Sequence, residues 1–346
     1  MNTKLIKIIT LLFVFTSYFL YSSSEYLKLI KTIGDERENY TFFLINSSVL
    51  SENKDIFISD VKGHFVAKYN WNGKFIKKIG KKGKGPGDFL VPSLLNAVKN
   101  KVLVYDGGNK RIVEIDDDLE NLKYYRMSKS PHFFSRKITD LKNGLFLGSI
   151  TYNIYSKEVK ERLRIFDKNG ETIHKFFEYL PMKDTRNFSN PLSMMYLETV
   201  FSTDQNKEKL IISFNFPDNP VEFYIYTSKG KYINKFSFKI DKEYRFPKYR
   251  LQYPPKYPSE SYYSVIDSLF IYKENYIFFI IQIGRKKKEV VKDEYMCYIV
   301  DKFGNLKHKF KLSDKFRFFY ISEEGYLLGK NFDSDMEKLL IYQVNL

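Results

Sequence analysis

Apolar and polar residues alternate along this chain in short runs that are separated by glycine, asparagine and aspartate. A two-residue period predicts strands with one buried face, and glycine or asparagine at a turn allows the positive φ that tight hairpins need. One hairpin recurs: a strand, a tight turn, and a second strand rich in lysine and aromatic residues. Its copies lie at residues 65–79, 112–125, 163–176, 223–236 and 297–310.

A short apolar run stands before each hairpin and is predicted to be a buried strand. These runs lie at residues 55–59, 102–105, 145–148, 210–214 and 276–281. The earliest turns follow one another at a spacing of roughly fifty residues, which is typical of a four-stranded propeller blade. Each unit is therefore predicted to form one blade, with an inner strand a, strands b and c, and an outer strand d.

The two ends of the chain complement each other. Strands predicted at 317–321, 326–330 and 338–344 supply a, b and c of a sixth blade without its outer strand. Residues 26–34 closely match 74–80, which form the outer strand of the first blade. We therefore predict an all-β fold, a six-bladed β-propeller of four-stranded antiparallel blades, in which the N-terminal strand closes the last blade and leaves no large open edge.

The first residues resemble a secretory signal. Lys4 and Lys7 precede an apolar run at 8–20, and the serines at 22–24 offer a cleavage site. The run is shorter than the ~20 apolar residues of a membrane-spanning helix. We predict a signal peptide at 1–24, a single domain at 25–346 without a transmembrane span, and export to the periplasm, cell surface or exterior. An uncleaved anchor is the alternative.

Composition supports the β prediction and restricts the partners. Aromatic residues make up 18% of the chain, and the net charge of +16 would suit an anionic partner. However, the lysines are spread along predicted strands, and the dense cluster at 285–288 is followed by three acidic residues. They are interpreted mainly as solvated strand faces, so nucleic acid is not an expected partner. The single cysteine, Cys297, lies in a predicted strand and is interpreted as a small buried residue.

Part of the chain resembles a known group of propellers. The segments 58–60, 72–80, 83–92 and 104–116 are similar to the NHL-repeat and TolB-like exported propellers of bacteria, and the stretch Gly83-Lys-Gly-Pro-Gly-Asp-Phe89 is the most specific part. The resemblance covers about residues 55–120. Beyond this region only the repeating hairpin pattern of the blades continues. It implies binding of proteins, peptides or glycans, since related propellers mostly bind such partners and a minority are lyases or lactonases.

Several polar residues are expected to be structural. Asp60 and Asp106 end b strands, where a carboxylate can accept hydrogen bonds from the b–c turn. The glycines at 83, 85 and 87 precede no helix and are interpreted as a d–a connection, not a phosphate loop. The acidic run 116–118 is expected to be solvated in its c–d turn, and Asp333 and Asp335 are a weak calcium candidate.

Signatures of catalysis are scarce in the sequence. The four histidines (His64, His132, His174 and His308) have no paired spacing, and two of them fall on outer strands. A zinc lyase would need several imidazoles that converge on one ion. We predict no catalytic residue, no metal ligand and no cofactor.

Long connections are the clearest functional signal. In the predicted strand order, d–a and b–c connections share one face, and the long segments 151–161, 178–195, 241–263 and 284–294 all map to it. Arginine and tyrosine on loops stiffened by proline are typical of binding hot spots. The predicted ligand-binding residues are Arg186, Arg245, Tyr249, Arg250, Tyr253 and Tyr257.

These observations predict a monomeric, exported recognition or scaffold module that binds a protein, peptide or glycan through this face. One alternative is a propeller hydrolase or lyase with a metal at the channel mouth. A weaker one is an envelope component that binds an anionic polymer by charge.

Overall fold

The computed structural model describes residues 26–34, 41–98, 100–127, 138–149, 161–178, 199–204, 206–214, 220–240, 260–273, 275–287, 290–312, 316–331 and 337–346. In this part of the chain, strands form six four-stranded antiparallel sheets, joined by turns and two short 3₁₀ segments. The predicted fold class, a six-bladed β-propeller, is confirmed.

Each sheet is one blade, and its strands run from the inner to the outer position. Strand β1 (Leu27–Ile33) comes first in the chain. Blade 1 contains β2 (Ile45–Leu50), β3 (Ile56–Asp60), β4 (Phe65–Tyr69) and β5 (Phe75–Ile79). Blade 2 contains β6 (Pro92–Val98), β7 (Lys101–Asp106), β8 (Arg111–Asp116) and β9 (Leu122–Arg126). Blade 3 contains β10 (Ile138–Asp140), β11 (Phe146–Ser149), β12 (Glu161–Phe166) and β13 (Thr172–Glu178).

The second half of the chain repeats the arrangement. Blade 4 contains β14 (Thr199–Thr203), β15 (Lys209–Phe214), β16 (Val221–Thr227) and β17 (Tyr232–Phe238). Blade 5 contains β18 (Glu260–Tyr272), β19 (Tyr276–Lys287), β20 (Val290–Asp301) and β21 (Leu306–Leu312). Blade 6 contains β22 (Phe316–Ile321), β23 (Tyr326–Asn331) and β24 (Leu339–Val344), and β1 is its outer strand.

The ring closes through the N-terminal strand, as the sequence predicts. Strand β1 pairs antiparallel with β24, from Leu27 opposite Val344 to Ile33 opposite Leu339. Leu27 and Ile33 are buried, because they face the apolar residues of blades 5 and 1 on either side. Closure therefore combines strand pairing with burial of apolar surface.

Apolar side chains pack between neighbouring blades. The described residues form six buried clusters, one at each of the six contacts around the ring. Between blades 4 and 5, for example, the ring centroids of Phe223 and Phe279 are 5.0 Å apart. The core is therefore a set of interfaces around the ring, so each blade depends on both neighbours for its burial.

The glycines of the c–d turns bring neighbouring blades into close contact. Gly304 of blade 5 has a φ of +86°, and a Cβ atom there would lie 2.7 Å from the Ser237 carbonyl oxygen of blade 4. Gly170 of blade 3 has a φ of +81°, and its Cβ would lie 3.1 Å from Cα of Met127 in blade 2. These turns need glycine both for the positive φ and for the approach of one blade to the next.

The structure revises two of the predicted loops. Residues 284–287 and 290–294 are not an irregular connection but the ends of β19 and β20, which pair rung by rung to Lys287 and Val290. Residues 260–263 belong to β18, which pairs with the same part of β19. The β-branched Val290 and Val291 favour this extension of blade 5 beyond the length of the other blades.

The signal peptide predicted at 1–24 lies outside the described residues and stays a prediction, as does the assignment of 25–346 to a single domain. No helix among the described residues is long and apolar enough to cross a membrane.

The first test concerns the interblade contact of the c–d turns. Gly144 also has a positive φ, +71°, but a Cβ there would have no neighbour within 4 Å. We expect Gly144→Ala to lower the free energy of unfolding by about 1 kcal/mol, because only the strained φ is at stake. Gly304→Ala should cost about 2–3 kcal/mol, since its Cβ also meets backbone. Urea unfolding of both variants measures this difference. Equal losses in the free energy of unfolding would show that the close approach between blades does not contribute to stability.

The second test concerns ring closure. A chain that starts at Glu38 lacks β1, so β24 becomes an open edge and the apolar residues beneath it are exposed. We expect this chain to aggregate, or to unfold at a much lower temperature than the full chain, as monitored by light scattering and circular dichroism. A soluble truncated protein of unchanged stability would contradict the role assigned to β1.

Candidate functional site

The predicted ligand-binding residues, Arg186, Arg245, Tyr249, Arg250, Tyr253 and Tyr257, all lie outside the described residues. The same face of the ring is described in blades 1 and 2. There it consists of the d–a connection at 80–91, the b–c turns at 61–64 and 107–110, and residues 41–44, which lead into β2.

In blade 1, buried carboxylates fix the backbone that leads into the inner strand. Asp60, fully buried at the end of β3, accepts hydrogen bonds from the backbone N–H of Phe43 (2.6 Å) and Leu44 (3.1 Å). It also accepts one from Gly63 in the b–c turn, at 2.7 Å. The next N–H, that of Ile45, donates to Glu337 of blade 6 at 3.1 Å. Three consecutive amides are thus held by two carboxylates.

Asp106 has the same role in blade 2. One carboxylate oxygen accepts the backbone N–H groups of Leu90 (3.1 Å) and Val91 (3.0 Å), and the other accepts the Asn109 amide at 2.6 Å. The Arg111 Nε lies 3.4 Å from the second oxygen. The structural role predicted for both aspartates is confirmed. Sequence reasoning missed the hydrogen bonds that both aspartates accept from the backbone leading into the inner strand, because these partners are distant in sequence.

The side chains of Arg111 and Asp88 hold the glycine-rich connection by hydrogen bonds to its backbone. The Arg111 guanidinium donates to the carbonyls of Lys84 (3.3 Å), Gly85 (3.3 Å) and Asp88 (2.6 Å). The Asp88 carboxylate accepts the Gly85 N–H at 3.2 Å. A phosphate loop would instead offer several free N–H groups to one anion. The interpretation of this stretch as a d–a connection is therefore confirmed.

Two apolar side chains project from this fixed backbone. Phe43 is 62% exposed and Val91 is 44% exposed. The Asn46 side chain donates to the Pro92 carbonyl at 3.4 Å, so the beginnings of β2 and β6 lie side by side. Exposed lysines lie on the d–a connection at 80–91 and on the two b–c turns of the same face. We call the following set the basic face: Phe43, Val91, Lys62, Lys81, Lys82, Lys84 and Lys110.

The acidic run at 116–118 differs in part from the prediction. Asp118 is exposed, but Asp117 is half-buried and lies 3.2 Å from Nζ of Lys68, which also lies 2.9 Å from Asp55. Burial by itself lowers the pKa of Lys68, but hydrogen bonds to both carboxylates outweigh it and raise the pKa. This run is therefore a contact between blades 1 and 2, not only a solvated turn.

The remaining candidates for chemistry are scattered. His174 and His308 lie on outer strands, as predicted, and the ring of His64 contacts the Leu90 carbonyl at 2.9 Å. Cys297 is buried, as predicted, and burial raises the pKa of its thiol. His132, Asp333 and Asp335 lie outside the described residues. Among those that are described, no group of three or more His, Cys, Asp or Glu could hold a metal ion.

Sequence reasoning also missed a polar contact between inner strands. Asp140, buried at the end of β10, accepts a hydrogen bond from Asn96 of β6 at 3.3 Å and pairs with Lys207 from blade 4. Burial raises the pKa of this carboxyl in spite of the lysine. The three residues come from three blades, so no local sequence pattern could have joined them.

A cleft of about 570 Å³ lies on the opposite face, between blades 5 and 6. Its lining includes Tyr26 and His308, whose ring centroids are 4.8 Å apart. Lys273, Glu324 and Gln343 also line it. The lining combines opposite charges with half-buried rings and does not single out one class of ligand.

The ring of blades and its carboxylate-fixed loops define the class of this protein as a six-bladed β-propeller. The chain belongs to the 6-bladed beta-propeller family, which matches residues 41–245. A search of curated proteins found no match. The resemblance to the NHL-repeat and TolB-like groups stays a prediction.

Solved structures share this fold at low identity. A candidate exported protein from Bacteroides fragilis is 12% identical, with a TM-score of 0.60, and the alignment covers 94% of this chain and 98% of that one. A member of the duf4221 family from Bacteroides vulgatus is 14% identical, with a TM-score of 0.57 and coverage of 92% and 97%. A gluconolactonase from Xanthomonas campestris is 9% identical, with a TM-score of 0.50 and coverage of 88% and 87%. These proteins include an enzyme, so the fold alone does not separate binding from catalysis.

The third test concerns the carboxylates that hold the basic face. We expect Asp106→Asn to lower the free energy of unfolding by about 3 kcal/mol, because an amide would face the Asn109 and Arg111 donors without a charge. Hydrogen exchange at the Leu90 and Val91 amides should become faster. The matched control is Asp167→Asn in an exposed c–d turn, where the carboxylate accepts the N–H groups of Asn169 (2.9 Å) and Glu171 (2.8 Å). A loss in the control as large as that of Asp106→Asn would contradict this role.

Proposed function

We propose that this protein is an exported recognition module that binds a protein, peptide or glycan through the d–a and b–c face of the ring. The observation that carries the proposal is the exposure of Phe43 and Val91 on backbone that buried carboxylates fix from below. A partner that buries these side chains gains apolar contact without ordering the loop first, so more of the contact energy becomes affinity.

Other exposed apolar residues have a simpler explanation. Ile76, Ile173 and Ile233 lie on the outer strands β5, β13 and β17. These strands also carry lysines, which protect open strand edges from pairing with other chains. Phe43 belongs to no outer strand, and its backbone N–H is bound to Asp60. Phe303 in a c–d turn is exposed as well, but Phe43 shares its face with the exposed Val91, and the beginnings of β2 and β6 that follow them lie side by side. Two exposed apolar side chains on one fixed face favour contact with a partner.

The loops that carry Arg186, Arg245, Tyr249, Arg250, Tyr253 and Tyr257 would extend this surface around the ring from blades 3 to 5. Arginine and tyrosine there would supply the hydrogen-bonding anchors that Phe43 and Val91 lack. The metal-dependent hydrolase or lyase would need several ligands converging on one ion. The described residues contain no such group, so they supply no observation in favour of this alternative.

The fourth test uses two phenylalanines of similar exposure on opposite faces. Phe43 is 62% exposed on the proposed binding face, and Phe303 is 69% exposed in a c–d turn of blade 5. A photoreactive phenylalanine analogue at position 43 should cross-link one defined partner in the native envelope, and the analogue at position 303 should not. With that partner in hand, Phe43→Ala should cost about 2 kcal/mol in binding, as for a buried aromatic anchor.

The control variant, Phe303→Ala, should bind as the unchanged protein does, and both variants should melt at the same temperature as it. Cross-linking from position 303 alone, or equal binding by the two alanine variants, would place the partner elsewhere and refute the proposal.

A further inference from the structure

The described acidic residues on the connections that carry the basic face accept hydrogen bonds from the backbone of those connections. Asp60 and Asp106 are fully buried and accept amide hydrogens, and Asp88 accepts the N–H of Gly85. The fully buried carboxylates of Asp60 and Asp106 are therefore not available at the surface to pair with lysine, whereas Asp88 is half-buried. The sequence places acids near lysines in these turns, but Asp60 and Asp106 are buried and the lysines are exposed.

The lysines of the basic face remain on the outside. Lys62, Lys81, Lys82, Lys84 and Lys110 are all exposed, and none forms an ion pair with a described residue. Some lysines elsewhere on the ring do form ion pairs. For example, Lys77 lies 3.0 Å from Glu120, and Lys235 lies 3.0 Å from Glu222. Among the described residues of blades 1 and 2, no acid therefore forms an ion pair with the lysines of this face. Asp35, Glu36 and Glu38, on the connection that leads to Phe43, lie outside the described residues.

Grouping exposed lysines on one face is energetically unfavourable, and an anionic partner can offset this. Like charges gathered on one surface repel each other, and the repulsion is relieved when an anion lies among them. Lysine presents a point charge without the fixed fork of arginine, so it suits separate carboxylates better than planar, two-point recognition. The charge pattern thus favours a partner that carries several separate anionic groups.

The uncharged residues of the face distinguish between anionic partners. An acidic glycan would need amide or hydroxyl groups for its hydroxyls. The Asn109 amide already donates to Asp106 (2.6 Å) and to the Gly83 carbonyl (3.0 Å). Val91 is aliphatic, and together with Phe43 it offers two apolar contacts among five cations. Apolar side chains interspersed with carboxylates match this pattern better than a sugar chain does.

We propose that the basic face binds an acidic polypeptide segment in which apolar side chains lie between glutamate or aspartate residues. This proposal rests on the proposed function, since it names the partner class for the same face. The apolar side chains would contact Phe43 and Val91, and the carboxylates would lie among the five lysines.

The test uses the full chain and a labelled synthetic peptide in which glutamates alternate with phenylalanine and leucine. A second peptide has glutamine at every glutamate, and polygalacturonate and vesicles with phosphatidylglycerol serve as the other anionic probes. We expect the acidic peptide to bind with an affinity that falls as salt rises, and the glutamine peptide to bind at least about tenfold more weakly.

Matched lysine variants locate the effect. The triple variant K81Q/K82Q/K84Q should bind the acidic peptide about tenfold more weakly, since it loses three exposed charge contacts of modest strength. The control K168Q/K229Q/K302Q removes the same charge from exposed c–d turns on the opposite face and should leave the affinity unchanged. Fluorescence anisotropy measures the dissociation constants, and thermal melting shows that both variants are folded.

Three results would overturn this inference. They are equal binding of the two peptides, equal effects of the two triple variants, and binding of polygalacturonate or vesicles in place of the peptide. Absence of binding by every probe would also reject an acidic polypeptide as the partner class. Each outcome leaves the cross-linking test at Phe43 independent, so the partner class can fail while the proposed function stands.

Discussion

Pairing of β1 with β24 is the interaction on which the rest of the ring depends. Each apolar cluster lies between two neighbouring blades, so every blade is buried only if both of its neighbours are in place. Without β1 the sixth blade would lose its outer strand, and the contact between blades 6 and 1 would lose Ile33. Glu337 strengthens the same junction, because it pairs with the buried Lys330 at 3.0 Å and accepts the Ile45 N–H of blade 1. Closure thus sets the position of β2, and with it the position of Phe43.

Carboxylates connect this architecture to the surface. In blades 1 and 2 the same acidic residue at the end of strand b holds both the b–c turn and the backbone that leads into strand a. A buried carboxylate is tolerated because amide hydrogens satisfy it. The consequence for function is electrostatic. Asp60 and Asp106 stabilise the turns from inside, and the lysines of the same connections stay exposed, with no ion-pair partner among the described residues.

The fold was largely predictable from the sequence because its signals are local. A hairpin depends on alternation and on a turn residue that allows positive φ, and these features recur at 65–79, 163–176, 223–236 and 297–310. The match between 26–34 and 74–80 was enough to predict closure. The extension of β18, β19 and β20 was not predicted, since lysine-rich segments such as 284–287 carry no clear alternation and become strands only by pairing with their neighbours.

The candidate site was less predictable from the sequence than the fold was. By itself the sequence determined that Asp60 and Asp106 end b strands, that lysines are abundant in blades 1 and 2, and that d–a and b–c connections share a face. It did not determine which charges remain available, because that depends on whether a carboxylate meets a backbone N–H distant in sequence, as Asp106 meets Leu90. Only the tertiary structure decided that Phe43 lies on the same face as five exposed lysines that have no ion-pair partner among the described residues, since ring closure and interblade contacts bring their backbone segments together.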